Sequence, residues 1–158
     1  MTALKPIQTV YQGYRFRSRL EARWAVFLDA VDLQWEYEAE GYELDGLRYL
    51  PDFKVTRSDS SSLWFEIKPK NIDEDEKFDR FSAAVRSPDS ALLLSGTPFE
   101  YVEYWGAPFF QSYLRLPATA GGLMSGIRQA GEAKAIAKIR SAALKAHQAR
   151  FEHGASGW

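Results

Sequence analysis

Between residues 18 and 96 the hydrophobic repeat switches from the 3.6-residue period of a helix to the 2-residue period of strands and back, an order that few folds can satisfy. From Ser18 to Val31, Leu20, Trp24, Phe27, Leu28 and Val31 stand at helical spacing, with Ser18 as N-cap and Glu21 three residues later. Gln34-Trp35-Glu36-Tyr37-Glu38 alternates like a half-buried strand and leads into a turn region from Gly41 to Gly46. Arg48 to Val55 reads as a second strand, in which Pro51 favours an edge position or a bulge. The polar stretch 57–62 is a loop or hairpin connection, and Leu63-Trp64-Phe65-Glu66-Ile67-Lys68 is a third strand stopped by Pro69. Asp73 to Val85 is predicted helical, with an acidic first turn and with Phe78, Phe81 and Val85 on one face. Ala91 to Gly96 fits a buried strand whose apolar run suits a sheet covered on both faces. The expected fold class is mixed α/β (α+β): an α-β-β-β-α-β core with a mixed central sheet.

Residues 98–117 are rich in aromatics and proline, which predicts irregular packing or short strands. Pro117 to Gly122 reads as a loop. A long helix is expected from about Ser125 to His153, with Ile136, Ile139, Ala143, His147 and Phe151 in one stripe and Gly154 ending it. The tryptophans are expected mostly in the core. At 158 residues the chain suits one domain with appendages. It lacks cysteine, a signal-peptide layout and any apolar run long enough to span a membrane, so a soluble cytoplasmic protein with no membrane partner is expected. Residues 1–110 carry a net charge of −6 and residues 111–158 a net charge of +5. A basic tail on an acidic body means either a polyanion partner or a solvated helix docked on its own body.

The two histidines, six residues apart in the tail, lack a zinc pattern, and no phosphate-binding glycine loop follows any predicted strand. Serine hydrolysis would need a placed histidine base, which that tail location does not suit. What remains is a set of carboxylates and a lysine on adjacent strands. Alternation puts Glu66 and Lys68 on the same face of the third strand. If the strands pair through the 56–62 connection, Asp52 lies close enough to Glu66 to share a hard divalent cation, and Mg2+ suits one or two carboxylates completed by water and phosphate. Lys68 is then a neighbouring positive charge that orients or activates a metal-bound water and offsets charge on a phosphorane-like transition state. Pro88-Asp89 with Glu132-Ala133-Lys134, and Asp52 with Asp75-Glu76-Lys77, fit the same loose pattern. Both are read as decoys, because Glu132 and Asp75 fall on predicted helices, where residues i and i+2 diverge.

Through Pro51-Asp52 and Glu66-Ile67-Lys68 on this order of elements, the sequence resembles the PD-(D/E)XK nuclease superfamily, over roughly residues 11–96. The segment Gly13-Tyr14-Arg15-Phe16-Arg17-Ser18-Arg19-Leu20-Glu21-Ala22 looks similar to the opening segment of small phage and bacterial members, and Ala149 to Gly154 to the tail of small phage-borne nucleases. The resemblance implies a restriction-endonuclease-like core over 1–116, followed by a linker loop at 117–124 and a basic C-terminal helix over 125–158. It implies a Mg2+-dependent endonuclease, with Mn2+ able to substitute, acting on nucleic acid, DNA ahead of RNA, in a bacterial or phage-infected cell. Asp52, Glu66 and, completing the set, Glu21 would be metal ligands, with a further ligand from the backbone carbonyl of Ile67. Lys68 would assist the attacking water. Arg15, Arg17, Ser18, Arg19 and Lys70 are the expected nucleic-acid contacts.

Each residue also has a plainer reading. Glu21 completes a capping box with Ser18, Asp52 suits a strand end, and Glu66 and Lys68 suit an ion pair. Arg15, Arg17, Arg19 and Arg23 crowd a helix start, where cations oppose the dipole unless an anion is present; a phosphate would resolve this, and so would solvation. Lys134, Lys138, Arg140, Lys145 and Arg150 offer the same choice in the tail. The alternative function is a catalytically inactive nucleic-acid- or partner-binding module on the same fold. A third is a virion or mobile-element structural protein that assembles through the tail. A homodimer would suit cutting two strands, although no interface is legible.

Overall fold

The computed structural model describes residues 7–117 and 125–151. The chain opens with a hairpin of β1 (Thr9–Tyr11) and β2 (Tyr14–Phe16). Helix α1 (Arg19–Ala30) follows, then β3 (Gln34–Tyr37), a second hairpin of β4 (Tyr42–Leu44) and β5 (Leu47–Tyr49), β6 (Phe53–Thr56) and β7 (Ser62–Lys68). Helix α2 (Glu76–Ala84), β8 (Ser90–Ser95), α3 (Pro98–Trp105), α4 (Ala107–Leu114) and α5 (Ser125–Gln148) complete the order. The central sheet runs β3-β6-β7-β8, antiparallel except for the parallel pair β7/β8, which α2 connects. The expected mixed α/β class, mixed sheet and long C-terminal helix are therefore present. Among the described residues no helix is long and apolar enough to cross a membrane.

Strand alternation sorts β7 between two cores. Leu63, Phe65 and Ile67 face the larger one, where Trp24, Phe27 and Leu28 of α1 meet Phe110 of α4 and Ile139 of α5. Trp64 faces the smaller one, made by Phe78 and Phe81 of α2 and Tyr49 of β5. Glu66 and Lys68 share the parity of Trp64 and project toward α2 and the second hairpin.

Several expectations are corrected. The second strand is not continuous from Arg48 to Val55: Leu50-Pro51-Asp52 break it, leaving β5 in a separate hairpin. The 41–46 region is part of that hairpin, turned at Asp45 and Gly46, both with positive φ, as a tight two-residue turn demands. Residues 98–117 form two helices. Pro98 and Pro108 stand in first turns, where a missing N–H costs nothing, and Thr97 caps α3 by accepting from the Glu100 N–H. In α5 the buried face is Ala135, Ile139, Ala142, Ala143 and Ala146, while His147 is exposed and the helix ends at Gln148. Trp105 is half exposed rather than core. The end of the tail motif, Glu152 to Gly154, and most of the 117–124 linker lie outside the described residues.

The basic tail helix docks on its own body. Arg23 of α1 donates from Nη1 to the carbonyls of Ala146 (2.8 Å), His147 (3.1 Å) and Ala149 (3.1 Å), satisfying acceptors that a helix C-terminus leaves open.

Candidate active site at the ends of β6 and β7

The break at Leu50-Pro51-Asp52 aims Asp52 inward. The β6/β7 ladder ends at the pair Phe53↔Phe65, so Asp52 stands one step beyond it, level with Glu66. Asp52 is 2% exposed; its Oδ2 accepts the Ile67 backbone N–H at 2.7 Å and its Oδ1 accepts Arg17 Nη2 at 2.6 Å. Glu66, also buried, accepts the Tyr49 hydroxyl on Oε2 at 2.6 Å, and its Oε1 lies 3.1 Å from Lys68 Nζ. Lys68 Nζ is also 2.7 Å from Asp75 Oδ2.

The structure brings Glu21 to the same end of the sheet through Arg17. Arg17 Nη2 lies 3.5 Å from Glu21 and 3.0 Å from Glu38, besides its contact with Asp52. Glu21 simultaneously closes a reciprocal capping box with Ser18 and accepts the Tyr37 hydroxyl at 3.0 Å. The capping role of Glu21 is thus present, and the same side chain stands beside Asp52 by way of Arg17.

Of the expected nucleic-acid contacts, Arg15, Arg19 and Lys70 are exposed, Ser18 is half-buried in the capping box, and Arg17 is engaged with carboxylates, its side chain 61% exposed. Four members of the cluster were not anticipated as such: Asp75, Glu38, Tyr37 and Tyr49. Asp75, set aside above as part of a decoy on a helix, is instead the N-cap of α2. One of its oxygens accepts the Phe78 N–H at 2.8 Å and the other reaches Lys68. Asp73 and Glu74 precede the helix and Asp75 caps it, while Glu76 and Asp79 supply the expected acidic first turn. A carboxylate three residues before Phe78 was the available signal for a cap.

Negative charge is in surplus here. Among the described residues, Glu21, Glu38, Asp52, Glu66 and Asp75 make ion pairs with Arg17 and Lys68 alone. Burial first, and then the charge of Glu66, push the Asp52 carboxyl up to about 7, against the Ile67 N–H and Arg17, which favour its ionised form. Burial likewise raises Glu21, despite Arg17. For Lys68, burial alone would lower the pKa, but Asp75 and Glu66 outweigh it and hold the ammonium above the ordinary lysine range. Lys68 is therefore a fixed positive charge at neutral pH, not a base.

Among the described residues no three acidic or histidine side chains form a ready metal cluster; Arg17 Nη2 stands between the carboxylates of Asp52, Glu21 and Glu38. The donor chemistry nonetheless fits a hard divalent cation: buried carboxylate oxygens whose mutual repulsion a cation relieves, beside a guanidinium exposed enough to swing into solvent. Comparison with protein-family models, with curated proteins and with solved structures found no match to this chain.

Proposed function

We propose that this chain is a Mg2+-dependent nuclease of restriction-endonuclease-like fold, hydrolysing phosphodiester bonds of DNA at the Asp52-Glu66-Lys68 site. The observation that carries the reading is the surplus of partly buried carboxylate around Asp52 and Glu66, set beside a lysine held charged. A charge excess of this kind is costly to a fold that makes no use of it. Leaving aside the inserted β4/β5 hairpin, the central-sheet order α1-β3-β6-β7-α2-β8 is that of an α-β-β-β-α-β core, and together with the resemblance through Pro51-Asp52 and Glu66-Ile67-Lys68 it supports the reading.

Asp52 and Glu66 would hold the cation, with Glu21 as the third proposed ligand; when bound, it would supply Lewis acidity and a water of lowered pKa. Tyr49 holds Glu66, and the Ile67 N–H holds Asp52, so both carboxylates are oriented before substrate arrives. Lys68, clamped by Asp75, presents its ammonium to the reacting phosphate and offsets the charge that develops there. Arg17, displaced from the carboxylates, joins Arg15, Arg19 and Lys70 as a cation for neighbouring phosphates.

The test is incubation with plasmid, single-stranded circle, branched DNA and RNA, in Mg2+ or Mn2+ against EDTA. Cleavage should require metal, and Lys68→Ala should lower it by about a hundred-fold or more with the circular-dichroism spectrum unchanged. Equal cleavage by wild type and variant would sink the assignment. One observation favours a second reading, a binding module without turnover: Arg17 pairs with Asp52, Glu21 and Glu38, so the fold itself supplies a cation to these carboxylates. That reading expects nucleic-acid binding with no cleavage of any substrate.

A further inference from the structure

Two short helices carry three aromatic side chains that the fold leaves at its surface, Tyr104, Trp105 and Phe109, in a row that Tyr113, packed partly on the main core, extends inward. Tyr104, Trp105, Phe109 and Tyr113 follow one another with ring centroids 5.0, 5.4 and 5.3 Å apart. Tyr104 is 81% exposed, Trp105 52% and Phe109 37%, while the buried Tyr101 backs the Trp105 ring at 6.2 Å. Contiguous exposed aromatics held this firmly mark a binding surface.

Trp105 and Tyr104 form one wall of an open cleft of about 650 Å³ that also includes Lys70 and Ser95. The cleft adjoins the end of β7 that carries Lys68. Ser95 is the ladder partner of Lys68, the Gly96 N–H donates to the Lys68 carbonyl at 2.9 Å, and Lys70 lies two residues beyond Lys68. The charges along it are unequal: Asp73, Glu100 and Glu103 stand against the single cation Lys70.

An acidic cleft repels a sugar-phosphate backbone, but it suits an uncharged aromatic ring bearing amino donors. Carboxylates accept from the exocyclic amines of nucleobases, and indole and phenol rings stack on base faces. Lys70, at the end nearest Lys68, is the one group suited to a phosphate. We propose that this cleft receives one or two unstacked bases of the strand whose phosphate lies at Asp52, Glu66 and Lys68. The substrate is then single-stranded or splayed nucleic acid, because a paired duplex keeps its base faces covered. The phosphate's position rests on the nuclease reading; the base cleft itself does not.

The experiment is fluorescence anisotropy with the full chain in EDTA, using a labelled DNA oligonucleotide of about 20 nucleotides, single-stranded or as a blunt duplex. The single strand should bind about ten-fold or more tighter than the duplex. Trp105→Ala should weaken single-strand binding between about five- and a hundred-fold and leave duplex binding unchanged, and Trp105→Phe should restore most of the loss. The salt slope should persist in Trp105→Ala and fall by about 0.7 in Lys70→Ala. Equal binding of both forms, or single-strand affinity indifferent to Trp105→Ala, overturns the proposal. So does self-association that Trp105→Ala abolishes while single-strand binding stays intact, since the occupant is then a second copy of the chain. Metal-dependent cleavage of intact duplex, unaffected by Trp105→Ala, removes the base cleft and leaves the nuclease. Trp105-dependent single-strand binding without any cleavage does the reverse.

Discussion

Arg17 and Arg57 are both guanidinium groups at the margin of the same sheet, and their surroundings differ in kind. Arg57 is 2% exposed, and its donors go mainly to neutral acceptors fixed by the fold: Ser61 Oγ at 2.7 Å, the Tyr113 carbonyl at 2.8 Å, the Ser62 carbonyl at 3.4 Å and the Pro88 carbonyl. It ties the β6–β7 connection to α4 and to the loop before β8. Arg17 is mostly exposed and meets three carboxylates. A structural cation is closed in by partners it cannot leave; Arg17 caps a charge excess that it only partly neutralises and from which it is free to move. The difference is that Arg57 is buried among neutral partners, as a brace is, whereas Arg17 lies exposed over an anionic surplus, which is where the proposed metal site is placed.

The largest expected effect tests the brace. Arg57→Ala leaves buried carbonyls and a serine hydroxyl without their donor, so stability should fall by about 3 kcal/mol or more, read from the urea midpoint. A loss below about 1 kcal/mol would erase the distinction drawn between the two arginines.

The second effect tests the surplus. With its carboxyl raised to about 7 in the folded chain, Asp52 binds its proton more tightly folded than unfolded. Its contribution to stability is therefore full below about pH 4 and is lost as pH climbs through about 7. Glu21, raised by burial, adds a loss of the same sign. Asp52→Asn should make the metal-free protein more stable at pH 8, by on the order of 2–3 kcal/mol, and flatten stability between pH 5 and pH 8 on the scale set by about 1.4 kcal/mol per pKa unit. Thermal melts of both proteins across that range, in EDTA, decide it; a variant less stable than wild type at pH 8 would mean that the carboxylate braces the fold.

The smallest effect supplies the baseline. Lys138 of α5 pairs with Asp32 in the open, their side chains 44% and 77% exposed. Lys138→Ala should move stability by less than about 0.5 kcal/mol, measured by the same urea titration. A larger loss would show that tail docking depends on surface charge and not on the alanine and isoleucine face that α5 buries.

Legibility in the sequence followed the range of the forces involved. Helix α1 and strand β3 were readable from local periodicity and β7 and β8 from their apolar runs, but β8 is an edge strand with only Leu94 fully buried, not a strand covered on both faces. Helices α3 and α4 were not readable, because the aromatics and prolines of 98–117 suggest irregular packing or short strands, whereas Pro98 and Pro108 stand in first turns and Gly106 caps the end of α3. The second hairpin was hidden by counting Arg48 to Val55 as one strand, although Asp45-Gly46 is a recognisable hairpin turn. Asp75 was dismissed because the acidic run placed the start of α2 too early, which turned a cap into a mid-turn residue.

The sequence by itself determined that Glu66 and Lys68 share a face, since the two-residue alternation of a strand is set by neighbouring backbone, and it determined that Ser18 and Glu21 cap α1. Only the tertiary structure decided which charges meet. Arg17 reaches Asp52 across 35 residues of chain, Tyr49 reaches Glu66 across 17, and Asp75 reaches Lys68 only because α2 begins beside the end of β7. Tertiary packing likewise turned α3 and α4 so that Trp105 faces water beside Lys70. Coulomb forces and desolvation act through space, so they are settled by packing and not by the order of residues along the chain.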